Sequence, residues 1–359
     1  MNVLSHFQHI YHVSNDVFEV LSILSHMKTR SALSQVVRAR RSDAGSLQPR
    51  DSIGTAVASP AGLSYQWVTN VSIGTPPQYV PLELDTGSGV FWVYDPANSQ
   101  TSLPVYDPSK SSTFRNTTPD GIDTWEIAYA STLENGAARQ GGGYICEDDV
   151  QLGTFLLPSA PVGIPTYFSS QEFAIAGSSG IMGLSPPPLP GQVAAGSPPP
   201  FITTIAANLD EQVFTANLKQ TGDGAFEFGT IDQTQYTGDI TWIPVNTAKA
   251  ASWLLEDVTF SINGTPTASS SGATASCMVD TGGGGLSFDS DIVNTYYSQI
   301  PNAQADAQDG GVWEVPCDAQ MPSLGLNFGN SISQGAAFFE IPGEYILGGQ
   351  TIDSEGHLG

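Results

Sequence analysis

From Tyr65 apolar and polar residues alternate as Tyr65-Gln66-Trp67-Val68-Thr69-Asn70-Val71-Ser72-Ile73, the period of a half-buried strand. Gly74-Thr75-Pro76-Pro77-Gln78 interrupts the alternation as a turn, and the next strand runs into Leu82-Glu83-Leu84-Asp85-Thr86-Gly87-Ser88-Gly89-Val90-Phe91-Trp92-Val93. One apolar run precedes Asp-Thr-Gly and another follows it, so Asp85 falls in a tight loop between two buried strands. The frame returns, altered, as Cys277-Met278-Val279-Asp280-Thr281-Gly282-Gly283-Gly284-Gly285-Leu286-Ser287-Phe288. Two such loops can bring two carboxylates together. Phe226-Glu227-Phe228-Gly229-Thr230-Ile231-Asp232, Tyr236-Thr237-Gly238 and Trp242-Ile243-Pro244-Val245 read as a crossing between two lobes near residue 240, followed by strands around Trp253 and Val258 and a helix over Asp291 to Ile300. Near the N-terminus, Val17, Val20, Leu21, Leu24 and Met27 recur at helical spacing and predict an amphipathic helix.

Composition narrows the class. At 359 residues, with 38 Gly, 25 Pro and only 13% charged residues, the chain suits two β-rich lobes with separate cores. Its formal charge of -24 is unevenly spread. Lys28, Arg30, Arg38, Arg40, Arg41 and Arg50 all lie in the first fifty residues, where Asp16, Glu19 and Asp43 are the only acids. The remaining body is therefore strongly acidic, which disfavours nucleic acid and anionic membrane surfaces as partners. No apolar run is long enough to span a bilayer. Acidity of this kind suits a low working pH, and equally it serves solubility alone.

Histidine usage removes several chemistries. His6, His9, His12 and His26 precede residue 27, and His357 is the only other histidine. A Ser-His-Asp or Cys-His mechanism, or a histidine-ligated metal, thus lacks its parts in the body of the chain. Cys146, Cys277 and Cys317 allow at most one bridge and make no metal cluster. Carboxylates are the acid and base groups that remain. A single Asp-Thr-Gly is read equally well as an ordinary turn, whereas two in the same apolar frame single out Asp85 and Asp280.

The two loops resemble the active-site loops of pepsin-like aspartic proteases, most closely the secreted fungal enzymes of aspergillopepsin and penicillopepsin type. The likeness runs from about Tyr65 onward and keeps the motifs in family order, with Ile73-Gly74-Thr75-Pro76-Pro77-Gln78 as the entry. It implies an all-β, bilobal fold with a cleft between two β-rich lobes, and an aspartic-type endopeptidase with Asp85 and Asp280 as the catalytic pair and no cofactor or metal. Thr86 and Thr281 would cross-link the loops, and Gly87 and Gly282 would aim backbone N–H groups at the carboxylates. Ser88 would bond Asp85, and Trp92 would bond Tyr129. Tyr129, at the end of Trp125-Glu126-Ile127-Ala128-Tyr129, would be the tyrosine of a substrate-binding flap, where the bland alternative is one more aromatic on a strand. Gly180-Ile181-Met182-Gly183-Leu184 resembles the segment that threads beneath the first loop.

The resemblance further implies a monomer acting at acid pH on extended peptides with apolar residues around the cleaved bond, made as a precursor and secreted. Residues 1–50 read as a basic pro-segment ending near Arg38-Ala39-Arg40-Arg41, or as a basic tail; residues 51–240 read as the N-terminal lobe and 241–359 as the C-terminal lobe. No clear signal peptide opens the sequence. Three departures stand out. Gly283 replaces the expected Ser or Thr, and the flap reads Tyr129-Ala130-Ser131-Thr132-Leu133 with its turn moved toward Asn135-Gly136. The third is the end of the chain, at Ile346-Leu347-Gly348-Gly349 and beyond, which implies a shortened C-terminal lobe. Cys317 looks like half of the C-lobe disulfide, without a later cysteine to pair with. These departures support a second reading, an impaired homologue that binds peptide without turnover. A two-carboxylate glycosidase fits less well, because its acids do not ordinarily come from duplicated Asp-Thr-Gly loops.

Overall fold

The computed structural model describes residues 7–13, 18–24, 54–61, 66–117, 125–132, 138–169, 177–186, 200–219, 223–236, 238, 240, 242–245, 253–267, 275–283, 286, 288–306, 312–328, 337–343, 346 and 357–358. The fold is all-β and bilobal, with few helical residues among those described. The segment expected to be a helix near the N-terminus is instead a hairpin, β1 (Phe7–Val13) and β2 (Phe18–Leu24). Its registers run from Phe7 opposite Leu24 to Val13 opposite Phe18. Short apolar runs do not distinguish the two periods, and here β-branched and aromatic residues find ladder partners that an isolated helix would lack. Val17 and Met27, which completed the helical pattern, lie outside the described residues.

The strands that follow are β3 (Gly54–Pro60), β4 (Trp67–Ile73), β5 (Gln78–Asp85), β6 (Phe91–Val93), β7 (Arg115–Asn116), β8 (Trp125–Thr132), β9 (Ala138–Leu152), β10 (Phe155–Phe168) and β11 (Gly180–Gly183). The turn between β4 and β5 closes with Ile73 opposite Gln78, as the sequence predicts. β5, β11, β6, β10 and β9 lie side by side, and β9 also pairs with β4, so this part of the sheet closes into a ring. Closure leaves no free edge around Asp85. The inner face is filled by Val71, Ile73, Val80, Leu82, Leu84, Val150, Leu152 and Ile164, all buried.

Beyond a short helix α1 (Phe201–Ala206), β12 (Val213–Leu218) and β13 (Gly224–Phe228) extend the same sheet through β3. The N-terminal hairpin inserts between β12 and β14 (Trp242–Pro244), with β1 on β12 and β2 on β14. A second sheet centres on β15 (Leu254–Ile262), flanked by β16 (Thr265–Thr267), β17 (Ala275–Met278) and β20 (Leu324–Phe328), with β21 (Ala337–Ile341) beyond. The predicted helix is α2 (Ser290–Tyr297), which buries Ile292 and Tyr296. β18 (Gln304–Asp306), β19 (Val312–Pro316) and β22 (His357–Leu358) make a small third sheet. Cys146 and Cys277 carry free thiols.

Two features tie the sheets together beneath the Asp85 loop. β11 runs parallel to β5 and antiparallel to β6, so it passes directly under the loop that joins them. Its chain then returns hydrogen bonds to that loop, from Gly183 N to Val90 O, from Leu184 N to Asp85 O and from Ser185 N to Ser88 O. Trp253, at the mouth of β15 and wholly buried, donates its indole N–H to Leu184 O at 2.9 Å. Its ring also meets Phe214 of β12 edge-on, with centroids 5.8 Å apart. One apolar core therefore runs from Leu82 and Phe214 through Trp253 to Leu255 and Val258.

Gly183 shows how tight the passage is. A Cβ there would lie 2.6 Å from Gly89 C, Ser88 O and Val90 N, all backbone atoms that cannot swing away. Gly183→Ala is therefore expected to cost roughly 1–3 kcal/mol, the usual range for overpacking. The check is the urea midpoint of unfolding, where an unchanged midpoint would show that the loop has slack.

Candidate active site

β5 ends at Asp85 and β17 ends two residues before Asp280, so each acid leaves a strand and enters a Thr-Gly turn. The threonines fasten the turns to each other reciprocally. Thr86 N donates to Thr281 Oγ1 at 3.1 Å, and Thr281 N donates to Thr86 Oγ1 at 2.9 Å. Each hydroxyl then donates onward across the cleft floor, Thr86 Oγ1 to Val279 O at 2.9 Å and Thr281 Oγ1 to Leu84 O at 2.6 Å. Every donor and acceptor of this square is used, which is what a buried threonine needs to avoid a desolvation penalty.

The glycines let the carboxylates approach. Gly87 N donates to Asp85 Oδ1 at 2.7 Å, and Gly282 N to Asp280 Oδ1 at 2.9 Å. A Cβ on Gly87 would lie 2.5 Å from the Asp280 carboxyl, and one on Gly282 would lie 2.5 Å from Asp85 Oδ1. Each loop thus presses its bare backbone against the other's acid. The two carboxyls are thereby brought face to face. Burial raises the Asp85 carboxyl well above the usual range, with the Asp280 charge as the second cause.

The surroundings of the two acids differ. Asp85, 5% exposed, also accepts from the Ser88 hydroxyl, which pairs in turn with Tyr129. Trp92 donates its indole N–H to the Tyr129 hydroxyl at 2.8 Å, fixing the ring above the pair. Trp92 itself is fully buried, stacked on Trp125 at 6.3 Å and packed against Phe168. Tyr129 lies on β8, which pairs with β9, while Leu133 and the predicted turn at Asn135-Gly136 lie outside the described residues. Burial holds the Tyr129 hydroxyl in its neutral form. On the other side, Asp280 faces Gly283, whose missing side chain leaves it without the matching hydroxyl.

All nine residues singled out from the sequence, Asp85, Asp280, Thr86, Gly87, Ser88, Thr281, Gly282, Trp92 and Tyr129, meet in this one network. One acid was missed. Glu83, two residues before Asp85, is 3% exposed and sits within electrostatic reach of both aspartates. Its signal in the sequence is a charged residue inside the otherwise apolar Leu82-Glu83-Leu84.

Gly283 yields a direct test of the asymmetry. A Cβ there would lie 3.4 Å from Asp280 Cγ and 3.5 Å from Oδ2, ordinary contact distances, so a serine fits and its hydroxyl reaches the carboxylate. Gly283→Ser is expected to stabilise the fold by about 0.5–1.5 kcal/mol, the net worth of one hydrogen bond. The urea midpoint of unfolding reads the gain, and an unmoved midpoint would mean that the hydroxyl points elsewhere.

Comparison with known proteins agrees with this geometry. Residues 66–354 match the family model described as eukaryotic aspartyl protease. A putative aspergillopepsin A-like aspartic endopeptidase of Aspergillus fumigatus is 32% identical over 287 residues, covering 79% of this chain and 63% of that protein. Podosporapepsin of Podospora anserina is 33% identical over 299 residues, covering 82% of this chain and 65% of its own length. The chain spans less than two thirds of the length of these relatives. An aspartic proteinase from Irpex lacteus superposes with a TM-score of 0.58 at 21% identity, covering 81% of this chain and 79% of that one, which shows the shared fold. The chain belongs to the eukaryotic aspartyl protease family.

Proposed function

We propose that the chain is an aspartic endopeptidase, hydrolysing peptide bonds in extended polypeptides at acid pH with Asp85 and Asp280 as its acid and base. The observation that carries this reading is the approach of two carboxyls, each packed against the other loop's glycine and held there by the reciprocal threonine contacts. Two acids so close cannot both ionise, so one is a carboxylate and its neighbour an acid. A water between them loses a proton to the carboxylate as its oxygen attacks the peptide carbonyl carbon. The protonated partner donates to the carbonyl oxygen, giving a tetrahedral diol. Collapse of the diol breaks the C–N bond, with a proton passing to the leaving nitrogen. Tyr129 closes over the cleft, excluding bulk water and aligning the substrate backbone.

The other parts of the reading rest on less. Apolar preference around the scissile bond follows from the likeness to the pepsin-like enzymes alone. Action outside the cell, as a monomer, and away from nucleic acid and membranes, follows from the likeness to secreted fungal enzymes and the charge of -24. Among the described residues, no helix is long and apolar enough to cross a membrane. A precursor with residues 1–50 as its pro-segment, followed by lobes at 51–240 and 241–359, is supported by the basic character of that first region against the acidic body. The reading as an impaired peptide binder gains no support, since the paired acids and their hydrogen-bonded frame are in place.

The test is hydrolysis of a denatured protein substrate at acid pH, with and without a statine-type transition-state mimic. Inhibitable cleavage is expected, and it should fall toward alkaline pH as the raised Asp85 carboxyl ionises. Asp85→Asn or Asp280→Asn should each lower the rate by about 10²–10⁴-fold, the share that general acid–base catalysis supplies. Tight binding of the mimic without turnover would sink the proposal.

A further inference from the structure

Glu83 has no task in that chemistry, and its setting is costly. On β5 it stands two residues before Asp85, so strand alternation turns both side chains to one face. β4 and β11 enclose it, with Val68 and Ile181 opposite it in register, and Ser178 accepts its backbone N–H at 3.1 Å. The side chain is 3% exposed, and its Oε1 is buried without any hydrogen-bond partner. The titratable groups that face it are Asp85 on its own strand, Asp280 from the opposite lobe and Tyr129 from β8. None of them is a cation. An anion at this place would be desolvated, unpaired and repelled by the neighbouring pair, so the geometry admits Glu83 only as a neutral acid.

We propose that Glu83 is a positioning residue that confines the paired aspartates to the acid side of neutrality. As a neutral acid it packs beside them. As an anion it repels the charge they share and breaks the arrangement that β5, β11 and β8 hold together.

The sign follows from linkage. Burial, then Asp85, then Asp280 raise Glu83 from its ordinary 4.5 to about 8 in the folded chain. Below the ordinary value both states bind the proton and stability is complete. Between the two values the unfolded chain releases the proton while the folded chain keeps it, so the folding constant falls about tenfold for each pH unit. Asp85 adds a slope of the same sign, which is common to the native chain and to a Glu83 variant and so cancels in their difference.

The experiment is urea unfolding of the full chain and of Glu83→Gln across pH 4.5 to 8. Glutamine keeps the shape and removes the titration. The native chain is expected to lose its folding constant more steeply than the variant, by about tenfold per pH unit. Parallel curves would overturn the proposal, because a residue that only fills space shifts stability equally at every pH. Should Glu83→Gln not fold, infrared spectra of Glu227→Gln with ¹³C-labelled glutamate decide the matter, since Glu227 is the other described glutamate that burial raises. A protonated glutamate carbonyl band that persists at pH 6 supports the proposal, and its absence overturns it. Unfolding needs no substrate, so the outcome is independent of whether the chain cleaves peptides.

Discussion

Two carboxyls forced into one proton's reach, in a place that water hardly enters, set the terms for the rest of this molecule. Like charges at such a distance separate unless something stronger holds them. Here the restraint is backbone geometry. Each aspartate follows a strand that is fixed in its own sheet, and each turn is bonded to the other by a threonine whose hydroxyl and neighbouring amide are both engaged. The repulsion is then met by a raised Asp85 carboxyl, since the frame does not let the acids move apart.

The frame explains why so much of the chain serves a site of nine residues. A loop held only by its own hydrogen bonds would relax, whereas the Asp85 loop is underpinned by β11, and β11 is enclosed by β5 and β6. The ring from β4 to β9 prevents the sheet from splaying at that point. Beneath it, Tyr106 donates to Asp148 at 2.5 Å, and Thr113 donates to the same carboxylate at 2.5 Å, so a second buried acid is fully satisfied. Glu83 offers the contrast: equally buried, but left with an unmatched oxygen.

Much of this was legible in the residues. The repeated Asp-Thr-Gly frame located both acids, because apolar flanks and glycine mark a strand-loop-strand in any context. Trp92 and Tyr129 were legible as partners only through resemblance, since no spacing rule joins residues that meet across a sheet. The helix over Asp291 to Ile300 came out as α2 because its apolar positions keep one face. Val20, Leu21 and Leu24 misled for the opposite reason: the periodicity is real, but strand partners from β12 and β14 outweigh it, and those partners lie some two hundred residues away. The free thiol at Cys277, and the orphan oxygen of Glu83, depend on distances that linear order does not carry.

Trp253, at the mouth of β15, bridges the second sheet to the first. Its indole is anchored to Leu184 O at the very base of the cleft, immediately behind the threonine square. Turning that indole would cost its hydrogen bond and its edge-on contact with Phe214 together, so the separation of the two acids is set by the packed core and not by the loops alone.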